Sequence, residues 1–197
     1  MENFLKIAEN IDIFPLLLAI HRQPDLWNAV PLRTQTPGSP HASASDVLIR
    51  FQPLDGSLKD PRACVWYDAA SRLPQVRPMV YGLMARVEGD RLGRIMLAKL
   101  EPGHNIQPHS DVGEHPLQYE RVPYWGRYHI PLTSDPCVIF RCGQEFLHMQ
   151  PGEAWHFKNY VEHEVFWTEG YGPETPARIH LIVDIHTANE PDREEPC

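Results

Sequence analysis

Ala177-Arg178-Ile179-His180-Leu181-Ile182-Val183-Asp184 reads as one long β-strand. Side chains alternate between the faces of a strand, so Ile179, Leu181 and Val183 share one face and Arg178, His180 and Ile182 the other. Towards the N-terminus the same period of two recurs in short runs: Arg94–Leu100, Ile106–His109, Gly126–Thr133, Cys137–Arg141, Glu145–Met149, Ala154–Lys158 and Glu164–Thr168. Turn signals separate them: Pro102-Gly103, Ser134-Asp135-Pro136, Cys142-Gly143, Pro151-Gly152 and Gly170-Tyr171-Gly172-Pro173. About eight short strands at this spacing predict a mainly β sandwich or jelly roll.

The first 93 residues carry a different pattern. Residues 3–30 read as helical, with Pro15 in a helix first turn. Residues 33–45 are a loop rich in Pro, Ser, Thr and Gly, and Asp46–Phe51 reads as a strand. Cys64–Tyr67 is a short strand. Val76, Val80, Leu83, Met84 and Val87 follow helical spacing within 74–87. The predicted organisation is therefore a single domain over 1–197. Residues 1–93 flank a β core at 94–186, and 187–197 form a flexible tail.

Composition bounds the function. A chain of 197 residues with 42% hydrophobic content holds one sizeable core, and 20 prolines favour turns and strands over long helices. A net charge of −8 argues against a sequence-independent nucleic-acid groove. Cys64, Cys137, Cys142 and Cys197 form no close pair of the zinc-ribbon or redox type. No basic segment precedes an apolar one at the N-terminus, and the apolar run Ile13–Ile20 is too short to span a bilayer. The expectation is a cytoplasmic protein without a membrane partner.

The chemistry concentrates in a few residues. His109 and Asp111 are two apart, on one side of an extended segment, and His163 lies 52 residues beyond Asp111. Two imidazoles and a carboxylate on one face of a metal leave the opposite face open, as in non-haem Fe(II) oxygenases. Oxygen and nitrogen donors without cysteine suit Fe(II), Mn(II), Co(II) or Zn(II), so the donor set alone does not choose among them. Taken singly, His163 also reads as a packed histidine among Val161, Val165 and Phe166. Fifteen residues on, Arg178 offers a guanidinium fork for an acidic co-substrate.

His109-Ser110-Asp111, His163-Glu164-Val165 and the strand from Arg178 to Asp184 resemble the aspartyl/asparaginyl beta-hydroxylase family. The resemblance covers about residues 94–185. It implies a double-stranded β-helix (cupin-like jelly-roll) core with N-terminal and flanking helices. It also implies Fe(II) at His109, Asp111 and His163, and 2-oxoglutarate as co-substrate held by Arg178, Arg127 and His129. The implied reaction is hydroxylation of an amino acid, free or as an Asp/Asn-type side chain in a peptide, using dioxygen and releasing succinate and CO2. Where the family can carry a serine before the His-x-Asp motif, this chain has Ala98, with Lys99 and Tyr128 as candidate substitutes. The insertion Val112–Trp125 is expected to form a substrate lid, with Arg121, Tyr119, Tyr124 and Trp125 as substrate residues; Arg33, Arg50, Trp66 and Arg141 are weaker pocket candidates. Two other readings stay open: a non-catalytic metal-binding sensor or scaffold, and a cupin-like metal-dependent hydrolase or isomerase.

Overall fold

The computed structural model describes residues 1–54, 63–111 and 124–188. Eleven strands lie among them: β1 (Phe4–Ala8), β2 (Ser45–Phe51), β3 (Val65–Trp66), β4 (Arg91–Leu100), β5 (Ile106–His109), β6 (Tyr124–Thr133), β7 (Val138–Cys142), β8 (Glu145–Leu147), β9 (Ala154–Phe157), β10 (His163–Trp167) and β11 (Arg178–Thr187). Helices are α1 (Phe14–His21), α2 (Leu32–Gln35), α3 (Ala69–Arg72) and α4 (Val76–Arg86), with a 3-10 turn at Pro24–Leu26. A seven-stranded sheet, β1-β9-β6-β11-β4-β2-β3, faces a four-stranded sheet, β5-β10-β7-β8. Every pairing is antiparallel. This is the double-stranded β-helix, with helices packed outside it. No helix among the described residues is long and apolar enough to cross a membrane.

The alternation in β11 assigns the two faces of the large sheet. Leu181, Val183 and Ile185 are fully buried and pack with Ile95, Leu97, Tyr128 and Ile130 against Leu16 and Ile20 of α1 and Val76, Val80 and Leu83 of α4. Those helix positions recur at i, i+4 and i+7, as an apolar stripe requires. The opposite face meets the small sheet through Leu100, Trp155 and Phe157, packed against Ile106, Phe140, Val165 and Trp167. Truncating a fully buried Leu181 to alanine would cost about 2–5 kcal/mol. The large sheet is thus clamped from both sides, which fixes the side-chain directions along β6 and β11.

The N-terminal expectation needs a correction. Phe4–Ala8 is an edge strand paired with β9, not helix. Phe4 is buried between the sheets, and Glu145 accepts hydrogen bonds from the backbone N–H groups of Glu2 and Asn3 at 2.6 and 2.8 Å. These partners are more than 140 residues away in the chain, and such contacts override local propensity. Pro15 does occupy the first turn of α1. The large sheet takes strands β1, β2 and β3 from the first 93 residues. The expected tail lies largely outside the described residues, with Thr187 still in β11.

Candidate metal centre and cavity

His109 and His163 are directly opposed partners across the β5–β10 ladder, with ring centroids 4.3 Å apart. Asp111 follows β5 and is held where its backbone N–H donates to Asn159 O at 3.0 Å. His163 Nε2 is 3.7 Å from Asp111 Oδ2, and the three residues offer ligand atoms all within 4.8 Å of one another. Each histidine donates through Nδ1 to a carbonyl two residues back, Gln107 O at 2.7 Å and Val161 O at 2.9 Å. With the proton on Nδ1, each Nε2 carries a free lone pair. Burial pulls the His163 imidazole down to about 4, so it stays neutral at ordinary pH.

Asp111 completes the donor set. Burial alone would push its carboxyl up, but neighbouring positive charge, first that of the Arg127 guanidinium, outweighs that, and its pKa is lowered. Arg127 Nη1 lies 2.6 Å from Asp111 Oδ2 without hydrogen-bond alignment, so this buried oxygen keeps an unengaged lone pair. Two imidazoles whose Nδ1 atoms are engaged by carbonyls, and an ionised carboxylate with an unengaged oxygen, suit a divalent cation. Arg127 is gripped in turn by Asp184: Nε donates to Oδ1 at 2.7 Å and Nη2 to Oδ2 at 2.9 Å. Burial lowers the Arg127 pKa, but the two carboxylates overcome this and leave it raised.

Beside the donors opens a cavity of about 460 Å³ when the open solvent at its mouth is counted. His109, His163, Arg127, His129, Arg178, Arg33, His41 and Lys99 line it, among apolar walls such as Phe140 and Phe157, and among the described residues no carboxylate lines it. Arg178 is 4% exposed, and among the described residues no carboxylate pairs with it. Burial alone draws its pKa down to about 9. Its Nη2 donates to His180 Nδ1 at 3.0 Å, and His129 Nδ1 lies 3.4 Å from that same atom. His129 and His180 are both held neutral, mainly by burial and then by the charge of Arg178.

The family model of the aspartyl/asparaginyl beta-hydroxylases matches residues 18–188. The chain belongs to this family. It is therefore an oxygenase enzyme of hydroxylase type. Solved structures share its fold at low identity. A 2OG-Fe(II) oxygenase family oxidoreductase from Burkholderia pseudomallei has a TM-score of 0.56 at 10% identity, covering 93% of this chain and 84% of that one. A prolyl hydroxylase from Trichoplax adhaerens, solved with a hypoxia inducible factor peptide fragment, gives 0.59 at 11% identity, covering 94% and 84%. A Pseudomonas putida prolyl-4-hydroxylase gives 0.51 at 11% identity, covering 94% and 93%. Sequence comparison with curated proteins gives no match.

Within this hydroxylase the residues singled out from sequence fall into distinct places. His109, Asp111 and His163 come together, and His129, Arg127 and Arg178 line the adjoining cavity. Arg127, expected to contact a co-substrate, has its Nε edge filled by Asp184 and reaches Asp111 with Nη1. Ala98 lines the cavity where a serine was a possibility. Tyr128 does not replace it: between Arg127 and His129 on a strand, it points to the opposite face and is buried with the helix-side core. Lys99 lines the cavity, but its Nζ pairs with Glu101 at 2.8 Å. The proposed lid at Val112–Pro123, including Tyr119 and Arg121, lies outside the described residues, as does the side chain of Tyr124. Trp125 packs on His186, with Arg91 over its ring and Gly93 beneath, away from the cavity lining. A Cβ at Gly93 would sit 2.9 Å from that ring, so the indole needs glycine there. Arg33 lines the cavity; Arg50, Trp66 and Arg141 do not.

Asp184, His41 and the Arg178–His180 contact were not singled out from sequence. For His180 the signal was present, since it shares the pleat face of Arg178. Nothing local to His41 marks it, because its partner His109 is 68 positions away.

Proposed function

We propose that this oxygenase is an Fe(II)- and 2-oxoglutarate-dependent dioxygenase that hydroxylates an amino acid, free or as an Asp/Asn-type side chain in a peptide. His109, Asp111 and His163 would hold Fe(II), which, when bound, supplies the oxidation of a C–H bond by dioxygen coupled to decarboxylation of 2-oxoglutarate to succinate and CO2. The single observation behind the co-substrate assignment is Arg178. A buried guanidinium without a carboxylate is strongly unfavourable, whereas a charge-assisted fork on a ligand carboxylate relieves it. Arg178 opens β11 beside the metal donors, so an acid anchored there can direct its other end at the metal. His180 orients the guanidinium by accepting from Nη2, and neutral His129 adds polarity without charge. Arg127, clamped by Asp184, holds Asp111 in its ionised form and fixes its direction. Phe140, Phe157 and Val165 keep the cavity wall apolar and limit water around the charged groups.

Calorimetry on Mn(II)-loaded protein without oxygen tests the anchor. The ligands are 2-oxoglutarate and 2-oxobutyrate, which keeps the keto acid and lacks the distal carboxylate. The parent should prefer 2-oxoglutarate by about 30-fold or more, corresponding to roughly 2–5 kcal/mol for a buried charge-assisted contact. Arg178→Ala should bind both ligands equally. If Arg178→Ala keeps the parental preference, Arg178 is not the anchor.

A further inference from the structure

Arg33 and His41 belong to neither sheet. They come from α2 and the segment after it, yet both line the cavity together with His109 and His163. The Arg33 side chain is only 14% exposed. Its Nε lies 3.0 Å from Asp46 Oδ2 on β2, and Asp46 is 1% exposed. Neither Asp46 oxygen finds a hydrogen bond with good geometry among the described residues. Burial lowers the Arg33 pKa and raises that of Asp46, so neither charge is well compensated. At the far end of the fork, Nη1 meets only the Met96 thioether at 2.8 Å, a weak acceptor, and Nη2 has no hydrogen bond among the described residues. His41 stacks edge-on against His109 with centroids 4.7 Å apart, and its buried Nδ1 has no hydrogen-bond partner among the described residues.

Two cavity arginines thus differ from Arg127, whose fork is filled by oxygen. Arg178 stands on β11 beside His180, whereas Arg33 stands over β2 and β4 beside Asp46 and Met96. If Arg178 takes the co-substrate, Arg33 remains tethered by one edge, with no oxygen partner on either Nη group among the described residues. Among the described residues the lining holds four cations and no acid, and Asp111 beside it is already engaged by Arg127, so this wall favours an anion over an ammonium.

We infer that Arg33 is the specificity-determining anchor for a carboxylate of the prime substrate, with His41 as a second polar contact beside the metal. The substrate class is an amino acid or peptide that presents a free carboxylate to this wall. Asp46 acts as a positioning residue that holds the guanidinium from the sheet. This inference rests on the assignment of 2-oxoglutarate to Arg178.

The test uses Mn(II)-loaded protein saturated with 2-oxoglutarate in the absence of oxygen. L-Proline, L-aspartate and L-glutamate are titrated calorimetrically, each as the free acid and as its carboxamide. At least one acid should bind about tenfold or more tightly than its amide, the effect of losing one charge-assisted contact. Arg33→Gln should abolish that preference, Arg33→Lys should retain part of it, and 2-oxoglutarate affinity should stay within about twofold in both. Because Arg33→Gln leaves Asp46 unpaired, Arg33→Gln/Asp46→Asn removes both charges and keeps the test valid if the single variant unfolds. Equal binding of acid and amide, binding of no acid, or an acid preference surviving in both Gln variants overturns the inference. A loss of 2-oxoglutarate affinity in Arg33→Gln also overturns it, by moving Arg33 to the co-substrate. A parent that binds no 2-oxoglutarate contradicts the co-substrate reading instead, and the acid-to-amide ratio is then read on the Mn(II) protein alone.

Discussion

Arg127 and Arg178 are buried in the same cavity wall, one on β6 and one on the neighbouring β11, yet their surroundings are opposite. Arg127 meets two carboxylates, Asp111 and Asp184, and its charge is reinforced. Arg178 meets a neutral imidazole, and its charge is penalised by burial. A buried ion that is paired and hydrogen-bonded is compensated within the fold, whereas one left unpaired is costly. On the proposed reading, the difference divides the cavity into a metal end and an anion end. Arg127 faces Asp184 across the ladder, whereas Arg178 faces Leu100 and meets His180 on its own strand.

The largest effect should come from removing a donor at the metal end. His109→Ala or His163→Ala should lower metal affinity beyond the roughly 100-fold seen when only a ligand's supporting residue is changed, and turnover should vanish. Asp111→Ala should come close to this. Wild-type-like turnover in either histidine variant would remove these residues from the centre.

A smaller effect sharpens the contrast between the arginines. Asp184→Asn weakens the clamp on Arg127 and so the placement of Asp111. Metal affinity, measured by competition with a chelating dye, should fall on the order of tenfold. 2-Oxoglutarate affinity at saturating metal should hardly change. A selective loss of 2-oxoglutarate affinity would mean that Arg127 serves the anion end after all.

The smallest effect concerns pH. Burial holds His156 and His163 at about 4, below the unfolded value near 6.5. Between those values the unfolded chain binds more protons, so the stability of the metal-free protein must fall as pH drops from 6.5 towards 4. Each group contributes about 1 kcal/mol of loss by pH 5.5. Denaturant unfolding at pH 7.0 and 5.5 measures this, and added Mn(II) should offset the His163 share because the metal takes the neutral imidazole. Equal stability at both pH values would show that these histidines are not buried neutral.

Much of this was legible from residue spacing. The alternation in β11 assigned its faces correctly, and the spacing singled out His109, Asp111 and His163, which lie together in the fold. Ile106–His109 was placed with the observed bounds. Tyr128 was available to the same reasoning, since a residue between two cavity-facing neighbours on a strand must face away. The Asp184 clamp, the His41 stack and the edge strand at Phe4–Ala8 were not legible, because each depends on a partner more than 50 positions distant. Five residues are also too few for helical and strand periods to be told apart.

The most direct measurement is oxygen uptake with product analysis on the Fe(II)-loaded protein, with and without 2-oxoglutarate. The account predicts that uptake requires both Fe(II) and 2-oxoglutarate, that succinate forms in proportion to the oxygen consumed, and that Arg178→Ala greatly reduces both at limiting 2-oxoglutarate. Oxygen uptake that ignores 2-oxoglutarate, or a metal-dependent conversion of a substrate without oxygen or succinate, would contradict it.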